Sequence, residues 1–163
     1  TAGLLSMAGL ALALSVNTAA AQDQSTNRVA AKTDWSVFVE DNPTECWSVS
    51  TPKETVNTRD GRVVAATRSQ ILFMVFYRPS AEAKGQVAFT GGYPFASGST
   101  VNVNISGTEF ELFTDDTKIV TAMKRGADAV VTGVSGRGTQ TKDTFSLLGF
   151  TAAVEEAESR CGG

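Results

Sequence analysis

The stretch Val101-Asn102-Val103-Asn104-Ile105-Ser106-Gly107-Thr108-Glu109-Phe110-Glu111-Leu112 decides the fold class. Apolar and polar residues alternate on both sides of Ser106-Gly107, the period-two pattern of strands with one buried and one wet face. A small turn pair between two such runs reads as a β-hairpin. Upstream, Trp35, Val37 and Val39 alternate with Ser36 and Phe38, and Cys46 to Ser50 makes a second short strand after the Asn42-Pro43 turn signal. Thr55 to Asp60 is polar, and Asp60-Gly61 before Val63 to Ala66 suggests a hairpin or a tight turn into a third strand. Ile71 to Arg78, closed by Pro79, reads as a buried strand and Gln86 to Thr90 as the next. Downstream, Ala129 to Val134 and Thr144 to Leu148 flank a Gly136-Arg137-Gly138 turn. Roughly eight or nine short strands, with turn residues between them and no strand-helix alternation, predict a mainly β antiparallel sandwich.

Two short helices interrupt it. One is expected near residues 116–125, with Asp115 and Asp116 at its start, Ile119, Val120 and Met123 on one side, Lys124 and Arg125 in its last turn and Gly126 as a stop. Each charge lies at the end that the helix dipole favours. The other runs from about Thr151 to Arg160 at the C-terminus, where Phe150, Val154, Ala157 and Cys161 form an apolar stripe.

The composition bounds what this domain can do. The 163 residues are 42% apolar and 19% charged, ordinary for one soluble domain with a real core. There is no histidine, which removes Ser-His-Asp and Cys-His nucleophile systems, the H-E-x-x-H zinc site and His-ligated haem. The net charge is −3 with both signs interspersed, so nucleic acid is not an expected partner. The densest basic stretch, with Arg59, Arg62 and Arg68, reads as a solvated turn and strand edge.

Residues 1–21 carry no charge; an apolar run from Leu4 to Val16 precedes Ala19-Ala20-Ala21 and the polar Gln22-Asp23-Gln24. That is the shape of a secretory signal cleaved after Ala21, rather than of a membrane anchor. Residues 22–33 then read as a flexible lead and residues 34–163 as the folded domain, with no membrane span once the signal is gone. Cys46 and Cys161, the two cysteines of an exported chain, are expected to pair as a disulfide, one beside a buried-looking strand and one on the apolar stripe of the last helix.

No motif for catalysis, cofactor or metal survives its context. Ser50-Thr51-Pro52-Lys53 matches S-x-x-K, but Pro52 sits inside the turn and no S-D-N or K-T-G follows. Gly133-Val134-Ser135-Gly136-Arg137 resembles a nucleophile elbow with arginine in place of the second glycine and no histidine to serve it. Glu40, Asp41 and Glu45 lack calcium-loop spacing, and Glu109 and Glu111 share one wet strand face. Trp35 and Trp47 read as core or rim packing. Gly91-Gly92-Tyr93-Pro94-Phe95 reads either as a wide turn that tucks Phe95 into the core or as the candidate contact loop, in which two glycines free the backbone and three rigid side chains follow.

The chain resembles the invasion-associated locus B (IalB) family of bacterial exported proteins. The resemblance is carried by Trp35 in Asp34-Trp35-Ser36-Val37, Cys46, the Lys118 to Gly126 helix with its Met-Lys-Arg-Gly end, and Phe145 to Ala153. It implies an immunoglobulin-like sandwich, export to the periplasm or beyond, a link to host-cell invasion in some pathogens, and no defined biochemical activity. Many members carry further cysteines in mid-chain, whereas this sequence has none between Cys46 and Cys161. The expected function is therefore non-enzymatic binding of a protein or cell-envelope component through a loop or sheet edge. The alternatives are a hydrolase working with carboxylates alone and a purely structural envelope protein.

Overall fold

The computed structural model of the chain describes residues 27–162. In chain order the strands are β1 (Arg28–Lys32), β2 (Trp35–Glu40), β3 (Glu45–Ser50), β4 (Glu54–Arg59), β5 (Arg62–Val63), β6 (Leu72–Arg78), β7 (Ala83–Thr90), β8 (Asn102–Ile105), β9 (Thr108–Glu111), β10 (Asp128–Val134) and β11 (Gln140–Ser146). Helix α1 (Asp116–Met123) follows β9, and α2 (Phe150–Cys161) ends the chain. The strands make two antiparallel sheets, ordered β1-β2-β3-β6-β7 and β5-β4-β11-β10-β8-β9. The expected mainly β sandwich with two helices is what the chain forms.

The hairpin that decided the fold class is β8–β9, closed between Ile105 and Thr108. Ser106 and Gly107 both have positive φ, 52° and 83°, the left-handed pair that matches the twist of the flanking strands. Asp60 and Gly61, at 50° and 73°, do the same between β4 and β5.

Three sequence expectations are corrected. Residues 28–32, assigned to the flexible lead of 22–33, form β1 and pair with β2, so the folded domain starts before residue 34. An edge strand needs only backbone partners on one side, and Arg28-Val29-Ala30-Ala31-Lys32 carries no apolar–polar alternation to mark it. The proposed signal, 1–21, and the first residues of the lead lie outside the described residues. The polar stretch after Thr55 is strand β4, hydrogen-bonded to β11, while Val64 to Ala66 leave the sheet after the two residues of β5. The apolar run of β6 is buried on one face alone: Phe73, Val75 and Tyr77 point inward, whereas Leu72, Met74 and Phe76 are half-exposed.

The core lies between the sheets. Phe73 of β6 and Phe89 of β7 meet Phe145 of β11 at ring distances of 5.2 and 6.2 Å, and Trp35 Nε1 donates to the Ser146 carbonyl at 2.9 Å. Helix α2 covers the rest of the inner face of the first sheet. Its buried stripe of Phe150, Ala153, Val154, Ala157 and Cys161 includes every position expected, and Phe150 meets Trp35 edge-on at 4.8 Å. Small residues are buried on both partners, Ser48 and Ser50 on β3 and Ala153 and Ala157 on α2. Cys46 and Cys161 form the expected disulfide, with Cα atoms 5.7 Å apart, and tie the end of α2 to β3.

The outer face of the first sheet carries the second tryptophan. Trp47 is stacked between Phe38 and Phe76 across β2, β3 and β6, and the Arg78 guanidinium lies over the far side of Phe76 while pairing with Glu45. Trp35 is thus core and Trp47 surface packing.

Candidate functional site

Three chain segments converge at one end of the sandwich: residues 64–68 leaving β5, the loop 91–95 after β7, and the β10–β11 hairpin with Gly136-Arg137-Gly138 at its tip. Between them and the end of β4 lies a cleft of about 660 Å³, within the range of small-ligand pockets. Its walls include Arg59, Arg68 and Arg137, the short residues Val64 to Ala66, the loop residues Gly92, Tyr93 and Pro94, and the hydroxyls of Ser135, Thr139 and Thr141; no carboxylate lines it.

The expected contact loop forms one rim of this cleft, held more tightly than its two glycines suggest. Gly92 sits at φ 74°, and a Cβ there would lie 2.6 Å from the Ser69 carbonyl oxygen, so the backbone runs flush against residue 69. Ser69 N–H donates to Gly92 O, and Arg68 Nε donates to Gly91 O at 2.8 Å. Beyond it, Gly136 N–H donates to Pro94 O and Ala96 N–H to Val134 O, which bridges the loop to the end of β10.

The loop side chains divide accordingly. Phe95 turns inward onto Phe89 at 6.1 Å, and Tyr93 stands edge-on to Phe95 at 5.2 Å with its hydroxyl bonded to that of Thr141. Both rings are half-buried and Pro94 is exposed. Burial raises the Tyr93 phenol above its usual pKa, the Thr141 bond and nearby Arg68 opposing. Gly133 makes room for this packing, since a Cβ on it would lie 2.9 Å from the Tyr93 hydroxyl.

Arg68 fixes the floor. Its Nη1 and Nη2 donate to the two oxygens of Asp143 at 2.7 and 2.6 Å, the fork geometry in which guanidinium and carboxylate match best. Nη1 also reaches Asn57 Oδ1, and the guanidinium lies 5.1 Å from the Tyr93 ring centre. The two side chains are 6% and 0% exposed. The sequence reading of Arg59 to Arg68 as solvated therefore fails for Arg68. Its partner lies 75 residues away, and no local signal marks the pair.

The two catalytic look-alikes have structural roles. The Ser50 hydroxyl donates to the Asp34 carbonyl at 2.7 Å, and Lys53 pairs with the Asp34 carboxylate, whose pKa this bond lowers. Ser135 Oγ accepts from Thr139 N–H at 3.1 Å and closes the hairpin tip. Among the described residues no three Cys, Asp or Glu side chains gather as a metal site.

The fold and the cleft thus define a disulfide-tied β-sandwich with a loop-rimmed cleft lined by arginines and hydroxyls. The family model for the invasion associated locus B (IalB) protein matches residues 111–158, from the end of β9 through α1, β10 and β11 into α2. The resemblance read from the sequence is borne out there, in the segment holding the Lys118 to Gly126 and Phe145 to Ala153 motifs. A solved structure, invasion associated protein b from Bartonella henselae, is similar at TM-score 0.46 and 13% identity, over 80% of this chain and 95% of that one. No curated protein matches in sequence. The disulfide fits an oxidising compartment outside the cytoplasm, and no helix among the described residues is long and apolar enough to cross a membrane.

Proposed function

We propose that the chain is an exported, non-enzymatic binding module of the IalB type, periplasmic or secreted after loss of residues 1–21. It recognises a protein or cell-envelope component at the cleft rimmed by Gly92 to Pro94, without a cofactor. One observation carries this reading: a cleft of about 660 Å³ is walled by a braced loop, three arginines and several hydroxyls, with no acid in its lining. A hydrolase relying on carboxylates needs at least two converging acids with displaced pKa values. Asp143, beside the cleft, has both oxygens engaged by Arg68. A braced, pre-ordered rim favours binding, because little entropy is lost when a partner settles on it.

The test is to plug the cleft. Ala65 and Ala66 line it and are exposed, so Ala65→Trp with Ala66→Trp fills the space without touching the core. Immobilised protein is to be compared with the plugged variant for components captured from bacterial envelope extract. Loss of a captured component on plugging supports the reading. The same components captured by both would refute it.

A further inference from the structure

The chemistry of the cleft specifies more than a partner of unstated kind. Arg68 is neutralised by Asp143, which leaves Arg59 and Arg137 as the charged groups of the lining. Neither takes part in an ion pair among the described residues. Arg137 is exposed at the hairpin tip; Arg59 is aimed at the same wall by its Nη2, which donates to Thr139 Oγ1 at 2.6 Å. Arg62 stands directly across the β4–β5 hairpin from Arg59, a like-charge juxtaposition that costs stability unless an anion answers it. Asp60, in the turn between them, is exposed and outside the lining.

The neutral groups on this wall are also donors. Thr139 Oγ1 accepts from Arg59, and Ser135 Oγ accepts from Thr139 N–H. Each hydroxyl oxygen accepts one of these bonds, and its own proton has no partner among the described residues, so each can donate. Two guanidiniums and two hydroxyl-bearing residues line a cavity with no carboxylate, so the wall offers donors to an acceptor-rich anion. Two uncompensated positive charges match the charge of about −1.5 to −2 carried by a phosphomonoester near neutral pH. A phosphate alone fills only part of a cleft of about 660 Å³. The rest, against Val64, Ala65 and Pro94, is shaped for the group esterified to it.

We propose that this cleft is a phosphomonoester-binding site: the phosphate is held between Arg59 and Arg137 with the Ser135 and Thr139 hydroxyls donating, and the ester group lies along Val64 to Ala66. The inference rests on the reading of the cleft as the binding site and names its ligand chemistry. The phosphomonoester could be a soluble sugar phosphate or a lipid headgroup, and the same contacts serve both.

The test is calorimetric titration of the folded protein with glucose 6-phosphate, glucose and glucuronate, beside sedimentation with vesicles containing phosphatidate or, as a diester control, phosphatidylglycerol. Saturable binding of glucose 6-phosphate, of phosphatidate vesicles, or of both is expected, and the active arm identifies the source. Glucose and phosphatidylglycerol should not bind. Arg137→Gln should weaken binding at least tenfold, as should Arg59→Gln, while Arg28→Gln on β1 should leave it unchanged. Among the described residues the Arg137 side chain makes no hydrogen bond or ion pair, so its variant decides the matter even if Arg59→Gln disturbs the hairpin. Absence of binding in both arms, equal binding by the Arg137 variant, or glucuronate binding as tightly as the phosphate would overturn the proposal. If plugging abolishes capture from envelope extract and no phosphomonoester binds, the ligand assignment falls and the binding reading stands. If plugging leaves capture unchanged, the binding reading itself falls.

Discussion

Removing the carboxylate of Asp143 should be among the most damaging single changes in this protein. The side chain is 0% exposed in mid-strand on β11, and both its oxygens are engaged by Arg68, itself 6% exposed. Asp143→Ala leaves Arg68 with its Gly91 and Asn57 contacts and the Tyr93 ring, none of which carries negative charge. An uncompensated buried charge of this kind costs about 3–5 kcal/mol. Replacing both partners by apolar groups, Arg68→Met with Asp143→Leu, removes the stranded charge and should recover most of that loss. The assay is urea unfolding followed by far-UV circular dichroism for the wild type, each single variant and the double variant. With a slope of roughly 1–3 kcal/mol per M for a chain of this size, the Asp143→Ala midpoint should fall by 1 M or more. The reasoning is refuted if Asp143→Ala costs under about 1 kcal/mol, or if the two single losses add up in the double variant.

Three further outcomes follow from particular contacts. Replacing Cys46 and Cys161 together by alanine should lower stability by about 2–5 kcal/mol in the same assay, since the bridge spans 115 residues and its removal enlarges the unfolded ensemble. Burial, helped by the charge of Glu158, pushes the Tyr77 phenol from 10.0 up to about 12. The unfolded chain therefore loses this proton first as pH rises above 10, so stability should fall between about pH 10 and 12; Tyr77→Phe should flatten that limb of the stability–pH profile. Gly133→Ala places a Cβ against the Tyr93 hydroxyl and should cost about 1–3 kcal/mol while loosening the loop at 91–95, read as faster amide exchange at Gly136 and Ala96.

The resemblance to the IalB family, the cysteine pairing, both helices and the β8–β9 hairpin were legible in the sequence because their signals are local. Alternation marks a strand, Asp115 and Gly126 punctuate α1, and two cysteines have one way to pair. The hairpin at Asp60-Gly61 was one of two readings open there, but the pairing of β4 with β11 was not legible, because it rests on backbone groups that composition does not report. For the candidate site, the sequence singled out Gly91 to Phe95 through its glycines and rings and offered the turn that tucks Phe95 inward, where it meets Phe89, but it gave no sign of what braces the backbone. Ser69, Val134 and Gly136 brace it, and they are distant in sequence.

What the sequence determined by itself was therefore the periodic and the punctuated: strands with a wet face, two amphipathic helices, tight turns, a disulfide, and the exclusion of histidine chemistry. What the tertiary structure alone decided was which charges lose their water. Arg68 and Arg59 lie nine residues apart and read alike; folding sends Arg68 to Asp143 and leaves Arg59 in the cleft, facing the same wall as Arg137. The environment of a charge depends on every segment packed around it, and those segments are set by the meeting of the two sheets rather than by neighbours in the chain.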